Sequence, residues 1–258
     1  MSSVQIFLKS QDGSEPKWIA NIEGGLISRY SKLIRDMIAE LEEPQLVYRI
    51  VLDGPEFNSI KFVLEAVVEA AVNDLPLTIN IGPRGITQAV KIHRAIKCLI
   101  IEPEQTAFVA KLQNLLAKTL VTRTQLLMVW AAYSTPGNAH AKLCETMIQT
   151  TAFKVVNDDK VKPGQKTQLF EAAQSQPALF AVLDAKINAL KESKRVRDII
   201  EAKNAAKKEK QRRAIVEARR LAEEQRVAAE EQRRAQAEEL ERARAEAWDG
   251  FASGAAGW

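Results

Sequence analysis

The stretch Val47–Ile101, VYRIVLDGPEFNSIKFVLEAVVEAAVNDLPLTINIGPRGITQAVKIHRAIKCLII, sets the architecture. Val47 to Leu52 is rich in β-branched residues and runs into Asp53-Gly54-Pro55, a turn composition, so it reads as a strand. From Phe57 onward, Ile60, Phe62, Val63, Leu64, Val67, Val68, Ala70, Ala71 and Val72 cover most of a helix circumference, which only a buried helix tolerates. Asn73-Asp74-Leu75-Pro76 breaks that helix and Leu77 to Ile81 alternates briefly. Gly82-Pro83-Arg84-Gly85 then leads into a second apolar helix, Ile86 to Leu99. Phe57, Val63, Val67 and Ile96 are expected in the core.

On the N-terminal side of this stretch, Val4 to Leu8 and Lys17 to Ile22 flank Gln11-Asp12-Gly13-Ser14-Glu15-Pro16 and read as a hairpin. Leu26, Ile27, Tyr30, Leu33, Ile34, Met37, Ile38 and Leu41 follow at three-and-four spacing, one helix with Ser31 inside the pattern, stopped at Glu42-Glu43-Pro44. On the C-terminal side, Pro103 closes the second apolar helix. Further helices are expected over 104–120, around Leu126 to Trp130, and from Ala139 to about Val156. Residues 157–166, polar and carrying Pro163-Gly164, read as a linker and the domain boundary. Beyond them Leu169, Phe170, Leu179, Phe180, Leu183, Ile187 and Leu190 make a helical stripe, interrupted at Gln176-Pro177, that must pack on the globular part.

The fold class is α+β, a small sheet packed with apolar helices. The order of elements resembles the BTB/POZ domain, a protein-interaction fold. Leu26, Ser28, Ser31 and Ile34 in the first helix, Ile50 to Leu52 and Phe57 around the third strand, and Leu77 to Ile101 with Glu102-Pro103 at its end carry that resemblance. A histidine that many members hold between the second strand and first helix is absent from Asn21-Ile22-Glu23-Gly24-Gly25. The resemblance implies an interaction domain over 1–120 and a helical extension over 121–190. It also implies a scaffold or adaptor that self-associates or joins a larger complex of proteins.

From Lys191 to Trp248 there is no Pro or Gly, and Ala, Glu, Arg, Lys and Gln dominate, so 191–248 reads as one long, solvent-exposed charged helix. Val196, Ile199, Ile200, Ile215, Val216, Leu221, Val227 and Leu240 are too sparse for an apolar heptad seam. Opposite charges recur one turn apart instead: Glu209 with Arg213, Glu217 with Arg220, Glu223 with Arg226, Glu230 with Arg233 and Arg234, and Glu238 with Arg242. Each such pair contributes about 0.2–0.5 kcal/mol, enough in series to hold an isolated stiff helix. Pairing in a coiled coil, docking and disorder are the alternatives.

This helix is bipolar: residues 191–220 carry twelve Lys and Arg against five Asp and Glu, and 221–249 carry five against nine. Lys203, Lys207, Lys208, Lys210, Arg212 and Arg213 form a candidate basic patch, for phosphate backbones or as a nuclear-import signal, with a solvated face as the plain alternative. No aromatic residue is interleaved to stack bases, so a chromatin- or RNA-associated subunit would contact the backbone only. The tail 249–258 reads as flexible from its glycines, and Trp248, Phe251 and Trp258 are candidate docking anchors or fold back on the globular part.

A net charge of +4 over 258 residues decides nothing about partners. No apolar run approaches a bilayer span and the first residues lack a signal-peptide pattern, so the expectation is an intracellular protein, nuclear or cytoplasmic, with no membrane. Cys98 and Cys144 sit in apolar helical patterns as small hydrophobes. His93 and His140 have no nucleophile or carboxylate at interpretable spacing, and no phosphate-binding glycine loop is present. No enzyme, cofactor or metal is expected.

Overall fold

A computed structural model describes residues 2–10, 14–40, 45–54 and 56–255, with side chains described as far as residue 244. The chain divides into two compact units, Met1–Lys191 and Glu192–Trp258.

In the first unit, β1 (Ser3–Leu8) pairs antiparallel with β2 (Lys17–Glu23) and parallel with β3 (Val47–Leu52), giving the sheet order β2-β1-β3. Val4 and Ile6 alternate inward with Tyr48, Ile50 and Leu52, so one face of the sheet is buried. Ile19 is an extra residue in β2, and this bulge sets Trp18 directly opposite Phe7 on the outer face.

The single helix expected over 26–41 is two helices, α1 (Gly24–Ser28) and α2 (Lys32–Ala39). The apolar spacing continues across the break, which is why the sequence does not announce it. Ser31 is fully buried there. Its hydroxyl donates to the Leu99 carbonyl at 2.6 Å and accepts from the Ile34 amide, capping α2. Lys32 N–H donates to Ile100 O and Glu102 N–H to Tyr30 O, an isolated bridge that binds the break to the end of α4 (Ile86–Cys98).

α3 (Phe57–Val72) buries Ile60, Val63, Leu64 and Val67 on one face. Each contributes on the order of 1.5–3 kcal/mol of transfer free energy. Val63 and Val67 are buried as expected, but Phe57, also expected in the core, is half-buried beneath the Lys17 ammonium, Val68 is half-buried, and Val72 is 65% exposed. Leu77 to Ile81 forms no strand, although Leu77, Ile79 and Ile81 are buried. Gln105 supplies the missing partner: its amide oxygen accepts from Ile79 N–H at 3.0 Å, and its nitrogen donates to Leu77 O and Pro103 O.

α5 (Thr106–Lys118), α6 (Arg123–Tyr133), α7 (Ala141–Asn157) and α8 (Pro163–Gln174) complete the helical layer, with a capping box at Thr122 and Gln125 starting α6. The linker expected at 157–166 does not separate two cores. Val161 within it is only 6% exposed, and Leu169, Ala172 and Ala173 of α8 belong to the same hydrophobic cluster as the sheet. A short polar connection between packed helices has the composition of a linker without separating two cores.

Leu179, Leu183 and Ile187 join that cluster from the first turns of α9 (Pro177–Ala255). α9 runs without interruption through the expected start at residue 191 and past the expected stop at Trp248, taking Gly250 and Gly254 into the helix. Extending an existing helix costs less than nucleating one, so two glycines near its end do not stop it. The fold is therefore α+β, a three-stranded sheet among helices and a long C-terminal helix.

Candidate interaction surfaces

The apolar residues that α3 leaves uncovered point to the first surface. β2 is an edge strand, so among the described residues one row of its backbone groups has no partner strand. Between this edge and α3 lies an open groove of about 750 Å³, lined by Trp18, Ala20, Ile22, Leu64, Val68 and Val72, with Lys61, Glu65 and Glu69 along its rim. Trp18 is 56% exposed at its mouth. The same tryptophan begins an apolar row across the outer sheet face, because Phe7 is in register with both Trp18 and Val51. The Arg49 guanidinium stands 4.4 Å from the Phe7 ring centre and partly shields that row.

A second, smaller pocket of about 400 Å³ gathers Lys9, Lys17, Lys91 and Arg94 near Gly54 and Met128. Its charges are partly neutralised from within: Lys91 pairs with Glu56 at 2.9 Å and Lys9 with Asp53 at 3.4 Å.

His93 and His140, 47 positions apart in sequence, meet edge to face with ring centres 4.6 Å apart. His93 is 2% exposed, stacks on Phe108, and shares a 2.8 Å hydrogen bond between Nδ1 and the Tyr133 hydroxyl. Burial, reinforced by His140 and Lys97, pushes the His93 pKa down to about 3. Burial raises that of Tyr133. Both are therefore neutral near pH 7, a satisfied polar pair inside the core. Burial also lowers His140 and pushes the Cys144 thiol up to about 11, while Cys98 is raised for the same reason. Both cysteines are free, Cys144 buried and Cys98 half-buried.

In the second unit the six residues of the candidate basic patch are all exposed on α9, but they do not share one side. Lys203, Lys207 and Lys210 follow three-and-four spacing along one face, whereas Lys208 and Arg212 lie round the other side. Arg213 is engaged by Glu209 at 3.0 Å. Of the other expected pairs, Glu223–Arg226 forms at 2.9 Å and Glu230–Arg234 at 3.1 Å, while Arg220 turns to Glu224 instead of Glu217. Trp258 lies outside the described residues, as do the side chains of Trp248 and Phe251.

Among the described residues no helix is long and apolar enough to cross a membrane. Among the same residues no cluster of three or more His, Cys, Asp or Glu side chains could hold a metal ion. No protein-family model matches the chain, and no curated protein matches it.

Proposed function

We propose that the protein is a non-enzymatic interaction scaffold or adaptor. Its first unit is a BTB/POZ-like module with a helical extension, and its charged helix acts as the spacer or bridge of an intracellular complex. The groove between β2 and α3 carries the proposal: it combines an open strand edge with apolar side chains that the chain's own core leaves uncovered. Its occupant is an extended segment of a protein partner, which adds a strand to β2 and drops alternate apolar side chains toward Leu64, Val68 and Val72. Backbone pairing supplies affinity there and the pocket supplies selectivity.

Selection of peptides from a random library on the full-length chain tests this. Enriched peptides should alternate apolar and polar residues and should lose at least tenfold in affinity when Trp18→Ser and Val72→Glu are combined. Both positions are exposed, so the fold is retained. Peptides that bind the double variant undiminished, or a library that enriches nothing, would sink the proposal.

Attachment to chromatin or RNA through phosphate contacts is the second function the surface supports. Among the described residues Lys203, Lys207, Lys208, Lys210 and Arg212 make no ion pair and remain available for it. A gel shift that disappears when Lys207, Lys208, Arg212 and Arg213 become Ala favours it, and the absence of any shift at low salt removes it.

A further inference from the structure

Among the described side chains, α9 beyond Lys191 is exposed along its whole length, yet it is not charged all the way round. At 100° per residue, Val196, Ile200, Ile215, Leu221 and Leu240 fall within about a third of the circumference. Between residues 211 and 236 the same face continues without a charge, at spacings of three and four: Gln211, Ala214, Ala218, Leu221, Gln225 and Ala228, and then Gln232 and Ala235. That is a seven-residue repeat built from amides and small or branched apolar side chains. A count of large hydrophobic residues alone passes over it. Ile215 and Leu221 are about half exposed on this face, and none of the described residues of the second unit covers them.

The charges beside the face identify what does. Lys203 and Lys210 border it in the basic half, and Glu224, Glu231 and Glu238 border the same edge in the acidic half. Elsewhere on the helix Glu209, Glu223 and Glu230 each hold an arginine one turn away. Among the described residues Lys203, Lys210, Glu231 and Glu238 make no such pair. A second copy laid alongside in the same direction sets the basic half against the basic half. Laid in the opposite direction, it sets basic against acidic, and Lys210 meets Glu231 of the other copy while Lys203 meets its Glu238. Leu221 then packs against the other copy's Ala218, next to the two-fold axis. Glu217 and Glu224 face each other across the copies, and the Arg220 guanidinium already holds Glu224 at 3.5 Å.

We propose that α9 is a homodimerisation helix, pairing antiparallel with a second copy of this chain along the uncharged face from Gln211 to Ala235. The alanines let the two helix axes approach toward the short end of the usual 8–10 Å separation. The lysine–glutamate contacts set direction and register, the role that flanking charges play in paired helices. Because the axis falls near residue 220, the two Glu192 residues of such a dimer stand on the order of 80 Å apart along the paired helices, at about 1.5 Å per residue. The spacer thus becomes a bridge that carries two first units, one at each end.

Equilibrium sedimentation of the full-length chain tests the pairing, with circular dichroism to show that helix content is kept. The wild-type chain should be a dimer whose dissociation constant rises with salt. Lys210→Glu and Glu231→Lys should each weaken dimerisation at least tenfold, since each sets like charges opposite one another twice per dimer. An equimolar mixture of the two variants should regain the wild-type affinity, because both mismatched contacts become complementary in the mixed antiparallel pair. A wild-type chain that is monomeric at all concentrations overturns the proposal. So do variants that dimerise as well as wild type, which assigns association to the first unit or to a parallel pairing, and a mixture no tighter than its components, which means that positions 210 and 231 do not face each other across the copies.

Discussion

Acidification should destabilise the first unit through His93, and the structure sets the size of the effect. An unfolded chain protonates this histidine near its ordinary value of 6.5, whereas in the native core it takes no proton until about pH 3. Below 6.5 the unfolded state therefore binds more protons than the native state, and stability falls as the pH falls. The slope is about 1.4 kcal/mol for each pH unit, so about 2 kcal/mol is lost by pH 5. His140, lowered in the same direction, adds to the loss. Carboxylates titrate as well, so the informative quantity is a difference between two chains. His93→Leu combined with Tyr133→Phe removes both partners of the 2.8 Å hydrogen bond and leaves no orphaned polar atom, a change that costs little when shape is kept. Urea unfolding followed by near-ultraviolet circular dichroism, repeated from pH 7.5 to pH 5, reports the stability of both chains. Wild type should lose about 2 kcal/mol more than the double variant over that range. Parallel profiles would refute the account of His93 as a neutral core residue.

Ser31→Ala should cost about 1–3 kcal/mol in the same assay, because it uncaps α2 and leaves the buried Leu99 carbonyl without its donor. Gln105→Ala removes one hydrogen bond from the Pro103 carbonyl and two from the 77–81 segment. Its amides should exchange with deuterium at least tenfold faster while those of α3 keep their protection. Thr151→Val should raise the thermal midpoint, since the Thr151 hydroxyl is fully buried with no hydrogen-bond partner among the described residues, and a methyl group there stabilises by about 1–2 kcal/mol. A lowered midpoint would mean that the hydroxyl has a native partner.

Local chemistry wrote most of the elements legibly into the chain. The hairpin follows from two β-rich runs around a turn composition, and α3 and α4 follow from apolar spacing between proline- and glycine-bearing breaks. What the sequence hid depends on partners distant along the chain. Ser31 looks like one more position in a continuous helix until the Leu99 carbonyl, 68 residues on, accepts its hydrogen bond. Gln105 looks like an exposed helix start, yet it completes the backbone bonding of a segment 26 residues earlier. The excess of apolar residues on α3 is visible, and burial follows from it for Ile60, Val63, Leu64, Val67, Ala70 and Ala71 but not for Val68 and Val72, which line a groove. On α9 the helix itself was plain from composition. Its uncharged face was not, since alanine and glutamine carry no hydrophobic signal until they are placed on one side with Ile215 and Leu221.

In the proposed function the outer edge of β2 receives a strand from a protein partner. Hydrogen–deuterium exchange of the full-length chain, with and without a peptide selected on it, tests that most directly. The peptide should slow exchange of the β2 amides, Lys17 to Glu23, by at least tenfold and leave those of β3 unchanged. Protection confined to β3 or to the helices, with β2 exchanging as fast as in the free chain, would contradict it.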